Sequence, residues 1–106
     1  MNKYTELSDF EINRRIAEMD IKNRYVYFEK EQTIFRKFNN GQTQKFNPCN
    51  YPSDAMPIII ESEISMIKIS GGWMCCHGSV SQVEHENLYR GAMELFLMMK
   101  DAENNK

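Results

Sequence analysis

The sequence lacks the features of disulfide-stapled and membrane-spanning proteins. It has three cysteines, two of them adjacent, and this number and spacing do not make a disulfide framework. The longest apolar run, LFLMM, is far too short to cross a bilayer, and the first residues, MNKYTELSDFE, lack the apolar stretch of a signal peptide. We therefore expect a protein of the reducing cytoplasm that makes no membrane contact.

The sequence also lacks a strong excess of one charge, and its net charge is −2. A nucleic-acid-binding protein usually has a more strongly basic surface. The exception is residues 24–46, which contain five basic and two acidic side chains. The candidate contacts for nucleic-acid phosphates in this range are Arg24, Arg36, Lys37 and Lys45, and a solvated surface of mixed charge is the alternative interpretation.

No motif for a metal or a cofactor is present. The sequence CCHG, together with Cys49 and His85, contains the ligand types of a zinc site. However, Cys75 and Cys76 are neighbours on a predicted strand and therefore point to opposite faces, and the sequence has no Cys-x-x-Cys pair. We expect no metal site and no cofactor, so the purified protein should contain no stoichiometric zinc.

A catalytic site is not predicted either. Cys75 and His77 lie two residues apart on one strand face, where a thiol and a base could meet. Nothing identifiable supplies an oxyanion hole or a third group to orient His77, and Gly71-Gly72 indicates a turn rather than a phosphate-binding loop. A thiol or metal enzyme centred on Cys75 and His77 is therefore the weakest of three functional hypotheses.

What the sequence does contain is typical of one globular domain. At 106 residues, of which 42% are hydrophobic and 26% charged, the chain can form a core without disulfides. We interpret residues 1–106 as a single domain and residues 102–106 as a frayed tail.

Three helices are predicted, over residues 9–20, 54–63 and 87–101. The first begins with the capping-box spacing of Ser8 and Glu11. Asn87 is a good N-cap for the third helix, because its side chain can accept a hydrogen bond from a backbone N–H of the first turn.

The second predicted helix follows a proline-rich connection. Pro48 and Pro52 each push the preceding residue into an extended conformation, so residues 46–52 should be rigid and non-helical. Either Ser53 or Asp54 can cap the helix. If Asp54 is the N-cap, Pro57 falls at the third helical position, where its missing N–H costs nothing. The predicted buried side of this helix consists of Met56, Ile60 and Ile64, with Ile59 flanking it.

Strands are predicted over residues 24–29, 33–38 and 43–46, where aromatic and β-branched residues are frequent and Asn40-Gly41 marks a tight turn. A further hairpin has Gly71-Gly72 as its two-residue turn, which pairs Ile69 with Met74 and Ile67 with Cys76. We expect these four paired residues to share the core face of the hairpin. Together the elements predict an α+β fold, with a largely antiparallel sheet (meander plus C-terminal hairpin) packed against three helices.

The third predicted helix carries an apolar residue on its polar face. Its broad apolar face consists of Leu88, Ala92, Leu95, Phe96 and Met99. Leu97 falls among the polar residues of the opposite face and is therefore expected to be exposed, in need of a second cover. A two-fold related copy of the helix would supply that cover, so the candidate partner-binding residues of a homodimer are Arg90, Glu94, Leu97 and Met98.

Several stretches of the chain, in their order, have a known counterpart. They are LSDFEIN, FNPCNYPSDAMPIII, an Ile-Ser-rich strand followed by a tryptophan, and NLYRGAMELFLMM. Together they resemble the NinX-like family of small lambdoid-phage proteins. The resemblance covers residues 7–19, 46–69, 73 and 87–99 and leaves residues 22–45 unmatched. The chain departs from the family pattern at Met56 (tryptophan in the family), Leu88 (proline) and Gly91 (alanine).

The resemblance implies a fold and a biological setting rather than a reaction. It implies a phage α-β-α sandwich domain, in agreement with the α+β fold predicted from the residues. The family belongs to a phage gene block that also contains recombination and late-regulation functions. It has no established activity and no catalytic residues to transfer to this chain.

We therefore expect a phage or prophage accessory protein, without enzymatic activity, that binds another protein in the host cytoplasm. The partner would be a phage protein, a host protein or a second copy of the chain. The alternative is an accessory nucleic-acid-binding factor in phage recombination or regulation, which would use Arg24, Arg36, Lys37 and Lys45.

Overall fold

The computed structural model describes residues 2–78 and 80–104. Its helices are α1 (Asp9–Met19), α2 (Pro52–Glu61) and α3 (Leu88–Asn104). Its strands are β1 (Arg24–Phe28), β2 (Thr33–Lys37), β3 (Thr43–Lys45), β4 (Ser65–Ile69), β5 (Gly72–His77) and β6 (Val80–His85). The predicted α+β class is confirmed. None of the helices in the described part of the chain is long and apolar enough to span a membrane.

The strands form two antiparallel three-stranded sheets. Sheet A has the order β1-β2-β3 and is the meander predicted from the sequence, whereas sheet B has the order β4-β5-β6. The third strand of sheet B, β6, was not predicted. Its place beside β5 depends on Gly72, because a Cβ at this position would lie 2.6 Å from the backbone oxygen of His85.

The register of the β4–β5 hairpin differs from the predicted one. Ile69 pairs with Gly72 and Ile67 pairs with Met74, so the turn lies at Ser70-Gly71 rather than at Gly71-Gly72. Gly71 takes a φ of +82°, which glycine adopts without steric cost. The glycine that needs positive φ is therefore in the turn, and its neighbour is the first residue of β5.

The prediction of which face of this hairpin is core was wrong. Cys75 is fully buried, whereas Ile67, assigned to the core face, is 46% exposed. The reason is the position of α3, which packs on the side of sheet B that carries Cys75 and Val83. Gly91 permits this close approach, since a Cβ there would lie 3.0 Å from the Cβ of His85 on β6.

Helix α1 starts as predicted, and α2 does not. The Ser8–Glu11 capping box is present at the start of α1. Helix α2 begins at Pro52, with Tyr51 as N-cap, so Pro57 lies inside the helix rather than at its third position. Proline suits the first helical position because its φ is already helical and no N–H is needed there. Asp54, a predicted cap, instead accepts a hydrogen bond from the backbone N–H of Asn47 at 2.9 Å.

The buried side of α2 is only partly the predicted one. Ala55 and Ile59 are buried, one turn apart, and Ile64 is buried after the helix ends. Ile60 was predicted to be buried and is 68% exposed, because it lies about 100° around the helix from Ile59.

Helix α3 is longer than predicted and buried on the side that was predicted to be polar and exposed. It is capped by Asn87, whose side-chain oxygen accepts hydrogen bonds from the amides of Tyr89 and Arg90 at 3.0 and 3.3 Å, as expected. It continues to Asn104, so residues 102–104 are helical rather than frayed, and residues 105–106 lie outside the described part. The N-terminal segment, residues 2–8, is hydrogen-bonded to α3, and both α1 and α2 pack against this helix.

Candidate functional site

A buried charge cluster joins α3 to the start of the chain. Arg90 is 7% exposed, and its Nε donates a hydrogen bond to Glu94 at 2.6 Å. One terminal nitrogen donates to Asp9 at 2.7 Å, and the other donates to the carbonyls of Tyr4 and Leu7 at 3.0 and 2.7 Å. All three guanidinium nitrogens are therefore engaged inside the molecule, and Arg90 acts as a structural clamp.

The N-terminal segment extends this cluster along α3. The Asn2 amide donates to the second oxygen of Glu94 at 2.6 Å, and the Tyr4 hydroxyl donates to Asp101 two turns further on. Burial and the bond to Asp101 raise the pKa of Tyr4 to about 12. Burial alone would raise the pKa of Asp9, but the hydrogen bonds from Arg90 and Asn50 outweigh it and lower that pKa. Asp9 is therefore ionised at neutral pH and balances Arg90.

This arrangement corrects the predicted partner site on α3. Glu94 is 2% exposed, Leu97 is fully buried, and Met98 is partly buried. The N-terminal segment bonds to Glu94 and Asp101 on either side of Leu97, so the chain itself covers this side of α3, which the sequence pattern of α3 could not reveal. The exposed α3 surface that was expected to form the homodimer interface is therefore absent. That the protein forms a homo-oligomer stays a prediction, but α3 no longer provides its interface.

The thiols differ sharply in exposure. Cys49 and Cys75 are fully buried, and their sulfurs point to the carbonyls of Asp9 at 3.9 Å and Leu88 at 3.8 Å. Burial raises the pKa of Cys75 to about 11 and also raises the pKa of Cys49. Both thiols are therefore protonated at neutral pH. No group of three or more metal-ligating side chains within residues 2–78 and 80–104 is placed to hold a metal ion.

We expect one cysteine of the native protein to react much faster than the other two. Cys76 is partly exposed on the outer side of β5, whereas Cys49 and Cys75 have no accessible surface. A thiol-reactive chromophore should give one fast equivalent per chain, and denaturant should release two more. Loss of the fast equivalent in Cys76→Ser is the control, and three fast equivalents in native wild type would contradict the burial.

The predicted basic residues are only partly brought together. In sheet A, Arg24 pairs directly with Lys37, and Lys45 pairs with Phe35 on the same face. Arg36 lies on the opposite face, where its guanidinium stacks over the Phe46 ring at 5.2 Å. Consecutive strand residues point to opposite faces, so Arg36 could not share a face with Lys37.

Sheet B presents an apolar patch, which we define as Ile67, Ile69, Met74 and Cys76 on the face away from α3. Ile67 is the most exposed of the four, and the other three are partly exposed. The row Ile67–Met74–Glu84 crosses all three strands. No helix of the described chain packs on this face, so the apolar patch is open to a partner.

A cleft of about 810 Å³ lies between α1 and the ends of α2 and α3. Tyr25, Arg36 and Phe46 form part of its wall. The Tyr25 hydroxyl donates to Asp20 at 2.6 Å, and burial together with this bond raises the pKa of Tyr25 to about 12. Acidic and basic side chains both line the cleft, so its charge selects no single ligand class. Sequence patterns did not indicate it, because its wall combines residues far apart in the chain.

Comparison with known proteins agrees with the motifs. The family described as Bacteriophage P22, NinX matches residues 3–100, including residues 22–45, where the resemblance had no motif. No curated protein and no solved structure matches the chain significantly. Because the match covers nearly the whole sequence, the chain belongs to the bacteriophage P22 NinX family.

Proposed function

We propose that this phage accessory protein is non-enzymatic and binds another protein, of the phage or its host, through the apolar patch of sheet B in the host cytoplasm. The observation that supports the proposal is the exposure of this patch. Ile67, at its centre, is 46% exposed on strand β4, which forms one edge of the sheet. Apolar side chains on an uncovered sheet face are characteristic of protein interaction sites.

The apolar side chains on both faces of sheet B support a binding role for the patch. An antiparallel sheet with one solvated face usually alternates apolar residues inward and polar residues outward. In β4 and β5 the outward positions instead include Ile67, Ile69 and Met74, while α3 packs on the inward side of β5 and β6. The hydrophobic effect therefore favours burial of the outer face in a complex, by an amount that scales with the apolar area removed from water.

The groups at the border of the apolar patch indicate which side chains a partner would present. Glu84 pairs with Met74 at the β6 side of the patch and is exposed. A complementary surface would present apolar side chains to the patch and a basic side chain to Glu84. The unpaired edge of β4 lies on the other side and could accept a strand of the partner.

The thiols and the charge cluster support a non-enzymatic role. Cys75, the candidate nucleophile, is buried and protonated at neutral pH. Arg90 and Glu94 form hydrogen bonds within the fold rather than around an open site. These groups therefore contribute to stability, and the exposed surface is left for binding.

Affinity capture from phage-infected cells tests the proposal. Tagged wild type, Ile67→Glu and the matched control Ile60→Glu would be compared after nuclease treatment. Ile60 is 68% exposed on α2, so its substitution places the same charge on an exposed apolar site outside the patch. We expect wild type and Ile60→Glu to retain a partner that Ile67→Glu loses. The same retained proteins with all three would contradict the proposal.

A further inference from the structure

We infer that the outer face of sheet A is a second binding site and that its ligand is single-stranded nucleic acid. We define the basic face as Arg24, Val26, Phe28, Phe35, Lys37 and Lys45. This site is separate from the apolar patch of sheet B, and the inference does not depend on the proposed protein-binding function.

The strand register places these residues on one side. Arg24 pairs with Lys37 and Val26 pairs with Phe35, so each pair has its side chains on the same face. Lys45 joins them from β3 as the partner of Phe35. The alternate residues, including the buried Ile34, face α1 and the core. The basic face is thus the solvent-exposed side of sheet A, and the other side of the sheet packs against α1 and the core.

The charges on this face are unbalanced. Its six defining residues include three cations and no carboxylate. Arg24, Lys37 and Lys45 have no ion pair with any side chain in the described ranges. Like charges directly opposite each other, as in the Arg24–Lys37 pair, destabilise an antiparallel sheet. The fold gains nothing from this arrangement, whereas a polyanion would neutralise it.

Two aromatic rings lie on the same face as the cations. Phe28 is 44% exposed, and its ring contacts Phe35 edge-on, with centroids 5.7 Å apart at 86°. Exposed phenyl rings beside cations suit unpaired bases, because a base can stack on the ring while its phosphate meets a cation.

The shape of the site favours a single strand over other polyanions. A three-stranded face is about 10 Å across, and Arg24 and Phe28 are about 13 Å apart along β1. Bases in a duplex are stacked on each other and cannot reach the rings. An acidic peptide would satisfy the cations but leave the rings uncovered. The face therefore matches a short stretch of unpaired nucleotides, read without sequence preference.

Fluorescence anisotropy with a labelled oligo-dT of about 15 nucleotides tests the inference. Wild type should bind with a salt slope of about −2, since each of three cations contributes about −0.7 on a single strand. Arg24→Glu should weaken binding about tenfold at about 50 mM salt. Arg15→Glu is the matched control, because Arg15 is an exposed arginine on α1, away from the basic face.

A second variant tests the rings independently of charge. Phe28→Leu keeps an apolar side chain at a half-exposed site and removes the aromatic face, so the fold should be retained. We expect about a tenfold loss of affinity with an unchanged salt slope, because base stacking is lost and phosphate contacts are kept. Circular dichroism of each variant establishes that the protein is folded before binding is compared.

Any of the following results would overturn the inference. The first is no binding by wild type at tens of micromolar protein and low salt. The second is equal weakening by Arg24→Glu and Arg15→Glu, which would place the site elsewhere. The third is duplex binding as tight as single-strand binding or full affinity in Phe28→Leu, either of which would exclude stacking. The fourth is displacement of the oligonucleotide by polyglutamate as efficiently as by unlabelled oligo-dT, which would indicate an acidic protein ligand.

Discussion

Arg90→Ala is expected to lower the free energy of unfolding by about 3–5 kcal/mol. The substitution removes four hydrogen bonds and leaves Glu94, which is 2% exposed, without its cation. It also leaves the carbonyls of Tyr4 and Leu7 without donors, so the N-terminal segment loses its main attachment to α3. Urea denaturation followed by circular dichroism would measure the change.

Two further variants separate the buried charge from a general loss of arginine. Arg14→Ala removes an arginine whose ion pairs with Glu18 and Glu29 are on the surface, and its denaturation midpoint should stay near that of wild type. Adding Glu94→Gln to Arg90→Ala should recover part of the lost stability, because no unpaired carboxylate is then buried. Equal midpoints for Arg90→Ala and Arg14→Ala would show that the cluster is not a clamp.

Leu97→Glu is expected to abolish the folded state at room temperature. Leu97 is fully buried, and replacement of a buried leucine by alanine alone costs about 2–5 kcal/mol. A carboxylate at the same place adds the cost of burying an unpaired charge, and the sum approaches the whole stability of a small domain. Circular dichroism should show an unfolded chain.

Ile60→Glu is the control for Leu97→Glu, since it puts the same charge on an exposed isoleucine and should leave the fold intact. One outcome would contradict the burial of Leu97. If Leu97→Glu folded with wild-type stability and only changed the oligomeric state, Leu97 would be an exposed interface residue, as the sequence pattern predicted.

The local elements of this fold could be predicted from the sequence because their signals lie within a few residues. The Ser8–Glu11 box and the Asn87 cap are examples, and both are present. The burial of Arg90 could not be predicted in this way. Its partner Asp9 is 81 positions away, and helical periodicity reports only that Arg90 and Glu94 share a face. A polar helix face is exposed unless a distant segment covers it, and here residues 2–8 do so.

Sheet B shows a second limit of pattern reasoning. Both faces of the β4–β5 hairpin carry apolar residues, such as Ile67 on one and Cys75 on the other. Alternation predicts which residues share a face, and that prediction was correct. It cannot tell which face the helix will cover. That choice depends on the close approach of α3 at Gly91, a feature of tertiary packing.

Much of the basic face can be predicted from strand alternation. Strand alternation starting from Arg24 places Phe28 on the same face, and the same rule excludes Arg36 once Lys37 is included. A count of charges along the sequence does not define a face, so it does not indicate the exposed rings beside the cations.

Photo-crosslinking from Cys76 tests the proposed protein-binding function most directly. Cys76 belongs to the apolar patch and is partly exposed, so a maleimide-linked benzophenone can be attached there without other changes. In a nuclease-treated lysate of infected cells we predict a cross-linked protein whose yield falls with excess unlabelled wild type but not with excess Ile67→Glu. A probe at Ile60→Cys in a Cys76→Ser background should not capture it. An adduct pattern identical at both positions, and insensitive to competition, would contradict the proposal that this face binds a partner.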